Sequence, residues 1–254
     1  MKLHYIIFTV IITFFAGCSG SPGSKTDVST PVDTVVVPDT GFTGIKQFMS
    51  GQYKVSEVTF KNGVRQGLTK TFYRSGKLQR TFWYESGLRQ DSSCWFYEEG
   101  QLFRTTPFIN DTINGIQKQF YRTGELKAEL GYSGGLRTLY FKEYSRDGKL
   151  ISNYPELLIK TEDKYNINGT YNITLSLSDL NNDVKFYRGD IVNGVYDTTK
   201  VEKIRKSGNT GLLGLRKKPA VNNDSVGIIA EILTNFGNRL IVYKKLELPY
   251  KDLK

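Results

Sequence analysis

The residue types that most often do chemistry near neutral pH are scarce in this chain: one histidine, His4, and two cysteines, Cys18 and Cys94. His4 sits in an apolar amino-terminal stretch headed by Lys2. Without that stretch the chain has no histidine, which excludes Ser-His-Asp and Cys-His catalysis and every His-ligated metal site. Cys94 then lacks a His base and is expected to be a buried strand thiol beside Trp95. Carboxylates do pair in sequence, as Glu98-Glu99, Glu162-Asp163 and Asp179…Asp183. Glycoside hydrolysis needs two of them across a cleft, whereas Glu98 and Glu99 fall in a turn where neighbouring acids are simply solvated. Asp179-Leu-Asn-Asn-Asp183 lacks the Gly and terminal Glu of a calcium loop. No Gly-Lys-Ser/Thr follows Gly208-Asn-Thr-Gly211, so it is no phosphate loop. The expectation is a protein that is not an enzyme, with no catalytic, metal or cofactor residues.

Residues 1–17 read as an export signal. Tyr5 to Phe15 is apolar apart from two threonines, and it is shorter than the roughly 20 residues that span a bilayer. Phe15-Ala16-Gly17-Cys18 resembles the lipobox of bacterial lipoproteins, with Phe where Leu is more usual. The resemblance implies cleavage before Cys18 and acylation of that residue. Several acyl chains anchor a protein stably where one binds only marginally. Ser19, in place of a retention Asp, points to the outer membrane. Residues 18–45, rich in Ser, Gly, Thr, Pro and Asp, read as a flexible tether. Asp33-Thr34-Val35 in it resembles the O-glycosylation motif of Bacteroidetes.

The strongest pattern is a repeat. Tyr73-Arg-Ser-Gly76-Lys-Leu78 recurs as Tyr97-Glu-Glu-Gly100-Gln-Leu102 and Tyr121-Arg-Thr-Gly124-Glu-Leu126. A fourth copy carries one more residue, Tyr144-Ser-Arg-Asp-Gly148-Lys-Leu150, and the four glycines stand 24 apart. A second series interleaves: Phe60-Lys-Asn-Gly63, Tyr84-Glu-Ser-Gly87, Phe108-Ile-Asn-Asp111 and Tyr132-Ser-Gly-Gly135. A fixed period in this range signals an array of supersecondary units. In each unit an aromatic ends a strand, Gly supplies positive φ, and an apolar residue starts the next strand. Asp111 is tolerable because Asp enters the left-handed region more readily than most residues. The prediction is a meandering antiparallel hairpin-repeat sheet over 46–152, with Gly63, Gly76, Gly87, Gly100, Gly124, Gly135 and Gly148 at its turns.

Those motifs resemble the bacterial variant of the MORN repeat, including the repeats of YwqK-type antitoxins, over about 90 residues. The resemblance implies a sheet built for protein–protein or lipid contact. The antitoxin group further implies a cytoplasmic partner, which a signal sequence contradicts. Most repeat aromatics are expected to be stacked core. Trp83, Trp95 and Phe103 lie outside the fixed repeat positions and are the candidate ligand platform.

Beyond Pro155 the period disappears and seven short strands follow, among them Tyr171 to Leu177, which alternates strictly, and Val201 to Lys206, ending with Val226 to Leu233 and Leu240 to Leu248. Their spacing predicts a β-sandwich of immunoglobulin-like size over 153–254. Without Lys2 the formal net charge falls from +10 to +9, that is 34 minus 25. Such a balance favours anionic surfaces, but export argues against nucleic acid. The function expected is a lipid-anchored envelope scaffold whose partner is another envelope protein or a glycan; the alternatives are a carbohydrate-binding component of a glycan-uptake or adhesion system and an antitoxin- or immunity-type protein.

Overall fold

The computed structural model describes residues 41–179 and 183–254. The signal peptide, Cys18, Asp33-Thr34-Val35 and most of the expected tether lie outside the described residues, as do 180–182 of the Asp179…Asp183 loop. Among the described residues no helix is long and apolar enough to cross a membrane.

The strands follow in order: β1 (Gly44–Ser50), β2 (Tyr53–Lys61), β3 (Val64–Phe72), β4 (Leu78–Glu85), β5 (Leu88–Phe96), β6 (Leu102–Ile109), β7 (Thr112–Ile113), β8 (Gly115–Phe120), β9 (Leu126–Ser133) and β10 (Leu136–Glu143). Then come β11 (Leu157–Lys164), the one-turn helix α1 (Tyr165–Asn168), β12 (Thr170–Leu177), β13 (Val184–Arg188) and β14 (Val195–Tyr196). The last are β15 (Glu202–Lys203), β16 (Arg205–Ser207), β17 (Thr210–Arg216), β18 (Ser225–Leu233) and β19 (Arg239–Glu247). Strands β1 to β10 form the expected antiparallel meander, with β7 paired to β6 and β14 added beside β10. Strand β1 begins at Gly44, inside the segment read as tether.

The two turn series are physically different. In one, both central residues have positive φ: Asn62/Gly63 at 52° and 76°, Ser86/Gly87 at 50° and 84°, Asn110/Asp111 at 48° and 64°, Gly134/Gly135 at 56° and 81°. That is the type I′ hairpin, whose twist matches the strands it joins. In the other series Gly76, Gly100, Gly124 and Gly148 alone take positive φ, and their N–H groups donate to Tyr73, Tyr97, Tyr121 and Ser145 carbonyls. The extra residue of the fourth copy therefore displaces its tyrosine and leaves Ser145 in the anchoring position.

Both turn edges are tied from one repeat to the next. The hydroxyls of Tyr73, Tyr97 and Tyr121 donate to the carbonyls of Phe96, Phe120 and Tyr144 at 2.6, 3.0 and 2.7 Å. Burial pushes all three phenols up from their ordinary pKa, so they remain donors. At the opposite edge the N–H groups of Gly87, Asp111 and Gly135 donate to Arg65, Arg89 and Ile113. Asp111 adds a clamp of its own: its Oδ1 accepts from the Arg89 N–H at 2.9 Å and from Nε at 2.7 Å. These ties explain why tyrosine, and not any aromatic, fills its repeat position.

The sandwich is two four-stranded antiparallel sheets, β11-β12-β17-β16 and β15-β13-β18-β19. They enclose one core that includes Leu157, Ile173, Leu175, Phe186, Leu215, Ile228 and Ile232. The strict alternation from Tyr171 to Leu177 is reproduced as alternating buried and half-buried positions within β12. The strand expected at 201–206 divides at buried Ile204, with β15 in one sheet and β16 in the other.

The two expected β bodies are joined. β14, from the carboxy-terminal stretch, pairs with β10. Glu143, fully buried, accepts from Thr234 Oγ1 at 2.8 Å, Asn238 Nδ2 at 2.8 Å and the Tyr154 hydroxyl at 3.2 Å. The described residues 41–179 and 183–254 thus belong to one compact unit.

Candidate functional site

Side chains directly opposed on antiparallel strands share a face, and neighbours along a strand do not. The pairings give a continuous row across seven strands: Thr71, Arg80, Trp95, Arg104, Gln119, Ala128, Glu143. A second row on the other face runs Lys70, Thr81, Cys94, Thr105, Lys118, Glu129, Lys142. Trp83 opposes Leu68 and stands two residues from Thr81, so it shares the face of the second row.

The three platform candidates are therefore not brought together. Trp83 is 43% exposed, and its indole N–H donates to Glu85 at 3.3 Å. Trp95 is half-buried on the opposite face. Phe103 packs edge-on against Tyr97, with ring centroids 5.0 Å apart. The odd offset between Trp83 and the residue opposing Trp95, Arg80, sends the two indoles to opposite sides. Cys94 is a strand thiol, as expected, but half-buried and on the side away from Trp95. The expected turn glycines sit at the turns with positive φ.

The large apolar side chains left exposed on the Trp83 face include Leu68, Trp83, Ile116 and Tyr140. Gly131 makes room for the last, because a Cβ there would come within 2.8 Å of Tyr140 Cβ and 2.1 Å of Thr138 Oγ1. The charged row beside this stripe pairs internally, with Lys118 to Glu129 at 3.9 Å and the Tyr140 hydroxyl donating to Glu129 at 3.0 Å. An apolar centre with a polar margin is the make-up of a contact surface.

On the Trp95 face, Arg80 and Arg104 approach from the strands on either side, their guanidinium carbons 4.2 and 3.5 Å from the indole centroid. Burial pulls both guanidinium pKa values down from the ordinary arginine range. Further along the row the β18–β19 turn docks, with Gln119 Nε2 donating to Asn238 Oδ1 at 2.9 Å. Of the carboxylates considered for catalysis, Glu99 pairs with Arg122 at 2.6 Å at an exposed turn, and Glu162 pairs with Lys164 at 2.9 Å.

Sequence reasoning missed the Arg80–Trp95–Arg104 row and the Glu143 clamp. The first had a signal, since Arg80 and Arg104 stand one repeat apart. The second joins residues more than 90 positions apart and had none.

This geometry agrees with the comparison to known families. A MORN repeat variant matches residues 65–82 and 113–133. Both matches lie within the meandering sheet, the first across β3 and β4, the second from the end of β7 through β9. No curated protein matches the chain. MORN repeats suggest a repeat-based binding or scaffold module.

Proposed function

We propose that this protein is a lipid-anchored, non-enzymatic scaffold of the cell envelope. On this reading Cys18 carries the anchor at the outer membrane, and the MORN-type sheet meets a second envelope protein through its Trp83 face. The observation that carries the binding role is the exposed apolar stripe Leu68, Trp83, Ile116 and Tyr140 on a sheet held rigid by ties between successive repeats. Scattered exposed apolar residues are ordinary, but a bordered set on one face of a sheet marks a contact site. The anchor reading rests on Phe15-Ala16-Gly17-Cys18 and the polar stretch after it.

Two experiments test the two halves separately. Labelled palmitate should enter the wild-type chain and not a Cys18→Ser variant; a Cys18→Ser chain that stays labelled and membrane-bound removes the anchor. Deleting residues 77–100, one full repeat, should weaken crosslinking to the envelope partner and leave membrane attachment intact. Undiminished crosslinking removes the sheet as the contact.

A glycan partner is the second reading, and the exposed Trp83 ring favours it, because aromatic faces stack on sugars. Trp95 does not serve it, since two guanidiniums already lie over its ring. A glycan array in which binding is lost with Trp83→Ala supports this reading. An array with no signal rejects it.

A further inference from the structure

Two cations half-buried without a counterion are costly unless something anionic reaches them. Arg80 and Arg104 are in that position. Among the described residues no carboxylate forms an ion pair with either, whereas Arg89, Arg122 and Arg239 each have one. The Nε atoms of both arginines and the Nε1 of Trp95 between them are sealed from solvent with no acceptor. The outer guanidinium nitrogens are then the parts left to face outward from the row.

The chemistry of the row is specific. Stacking on one indole fixes the two planar forks, and fixed guanidinium forks match carboxylates in a bidentate manner. Arg80 and Arg104 stand on the two strands flanking Trp95, and because both guanidinium carbons lie over one indole, 4.2 and 3.5 Å from its centroid, the two forks are less than about 8 Å apart. An extended polypeptide places every second side chain on one side, about 6.7 Å apart. Two such carboxylates match that separation and reach both forks at once, one bidentate pair on each. Thr71 continues the row at one end with a hydroxyl suited to main-chain amides, and Gln119, its Nε2 donating to Asn238, closes the other. The β18–β19 turn meets the row at Gln119.

We propose that the Thr71–Arg80–Trp95–Arg104–Gln119 row is a docking site for an extended acidic polypeptide segment of a partner protein. It lies on the face opposite the Trp83 stripe, so the sheet carries two contact surfaces of different chemistry, and either can fail without the other.

The test uses the full-length chain and fluorescein-labelled deca-glutamate, read by fluorescence anisotropy. Arg80→Gln with Arg104→Gln should raise Kd by about tenfold or more, the scale of one lost charge-assisted hydrogen bond. Arg80→Lys with Arg104→Lys keeps the charge, loses the planar fork and should fall between the two. Arg74→Gln with Arg146→Gln removes the same charge at the turn edge and should change Kd less than about twofold, as screening of exposed charges predicts. Thr71→Glu places a carboxylate opposite Arg80; it should raise thermal stability and compete the peptide away, so the site can be read even if the glutamine pair unfolds. Equal losses from the turn-edge pair, or no peptide binding at all, overturn the proposal. So does displacement of the peptide by phosphatidylglycerol vesicles or inorganic phosphate at lower concentrations than free glutamate peptide requires.

Discussion

Replacing Tyr73, Tyr97 and Tyr121 together by phenylalanine removes three oxygen atoms and little else. Each hydroxyl is half-buried and spans from one repeat to the next, with donor–acceptor distances of 2.6, 3.0 and 2.7 Å. A neutral hydrogen bond of this kind contributes about 1 kcal/mol net, within about 0.5 to 1.5. Successive tyrosines are two strand steps apart, about 10 Å, and share no partner, so their effects should add. The triple variant should then lose about 3 kcal/mol. With a urea slope of about 2 to 3 kcal/mol/M, the unfolding midpoint falls by about 1 to 1.5 M with the slope unchanged. Both tryptophans, Trp83 and Trp95, lie in the repeat sheet, so indole fluorescence reports on the element concerned. Tyr140→Phe is the control: its hydroxyl meets the surface groups Glu129 and Lys142 and should cost less than about 0.5 kcal/mol. If the triple variant unfolds within about 0.3 M of wild type, or each single change matches the control, the ties do not hold the repeats together.

Three further outcomes follow from the same physics. Gly131→Ala should destabilise by about 1 to 3 kcal/mol through overpacking, since the new Cβ would meet Thr138 Oγ1 at 2.1 Å. Gly76→Ala should cost only about 1 kcal/mol, because open space surrounds it and the penalty is its positive φ alone; calorimetry ranks the two, and a reversed order contradicts the packing. Asp111→Asn keeps the left-handed turn and loses the ion pair. Burial pushes the Asp111 carboxyl up, but the Arg89 side chain and N–H outweigh it and hold the group below its ordinary value of 3.8. A depressed pKa gives stability that is complete above the ordinary value and lost as pH falls through the folded one. The gap between wild type and Asp111→Asn in urea titrations should therefore close below about pH 3.8, and a gap that widens there refutes the clamp. Glu143→Ala strands the donors of Thr234, Asn238 and Tyr154 and should cost about 3 kcal/mol or more. Hydrogen exchange should show faster opening at the β18–β19 turn, and unchanged protection there would mean that the clamp does not join the two β bodies.

How much of this was legible in the sequence depends on range. Turn chemistry is local, so Asn62-Gly63, Ser86-Gly87 and Gly134-Gly135 announced their hairpins, and even Asp111 was readable as a left-handed substitute. Alternation is local too, which is why Tyr171 to Leu177 read as a strand. The face on which a residue lands is not local. It depends on the summed register of every strand between, and a bulge such as that between Thr81 and Trp83 in the β4–β5 pairing changes which residues meet. That is why Trp83, Trp95 and Phe103 read as one platform and fold as three separate environments. β1 carries no repeat motif, and its place at the sheet edge comes from pairing with β2. Glu143 looked like any strand glutamate until the β18–β19 turn supplied its partners.

The central claim, that the sheet acts by binding through its Trp83 face, is tested most directly by site-specific photocrosslinking in intact envelopes. A photoreactive residue at Ile116, in the stripe, should give one discrete adduct, abolished by Trp83→Ala. The same residue at Leu158, exposed on the sandwich, should give none. Adducts at Leu158 and not at Ile116, or an Ile116 adduct indifferent to Trp83→Ala, would contradict the account.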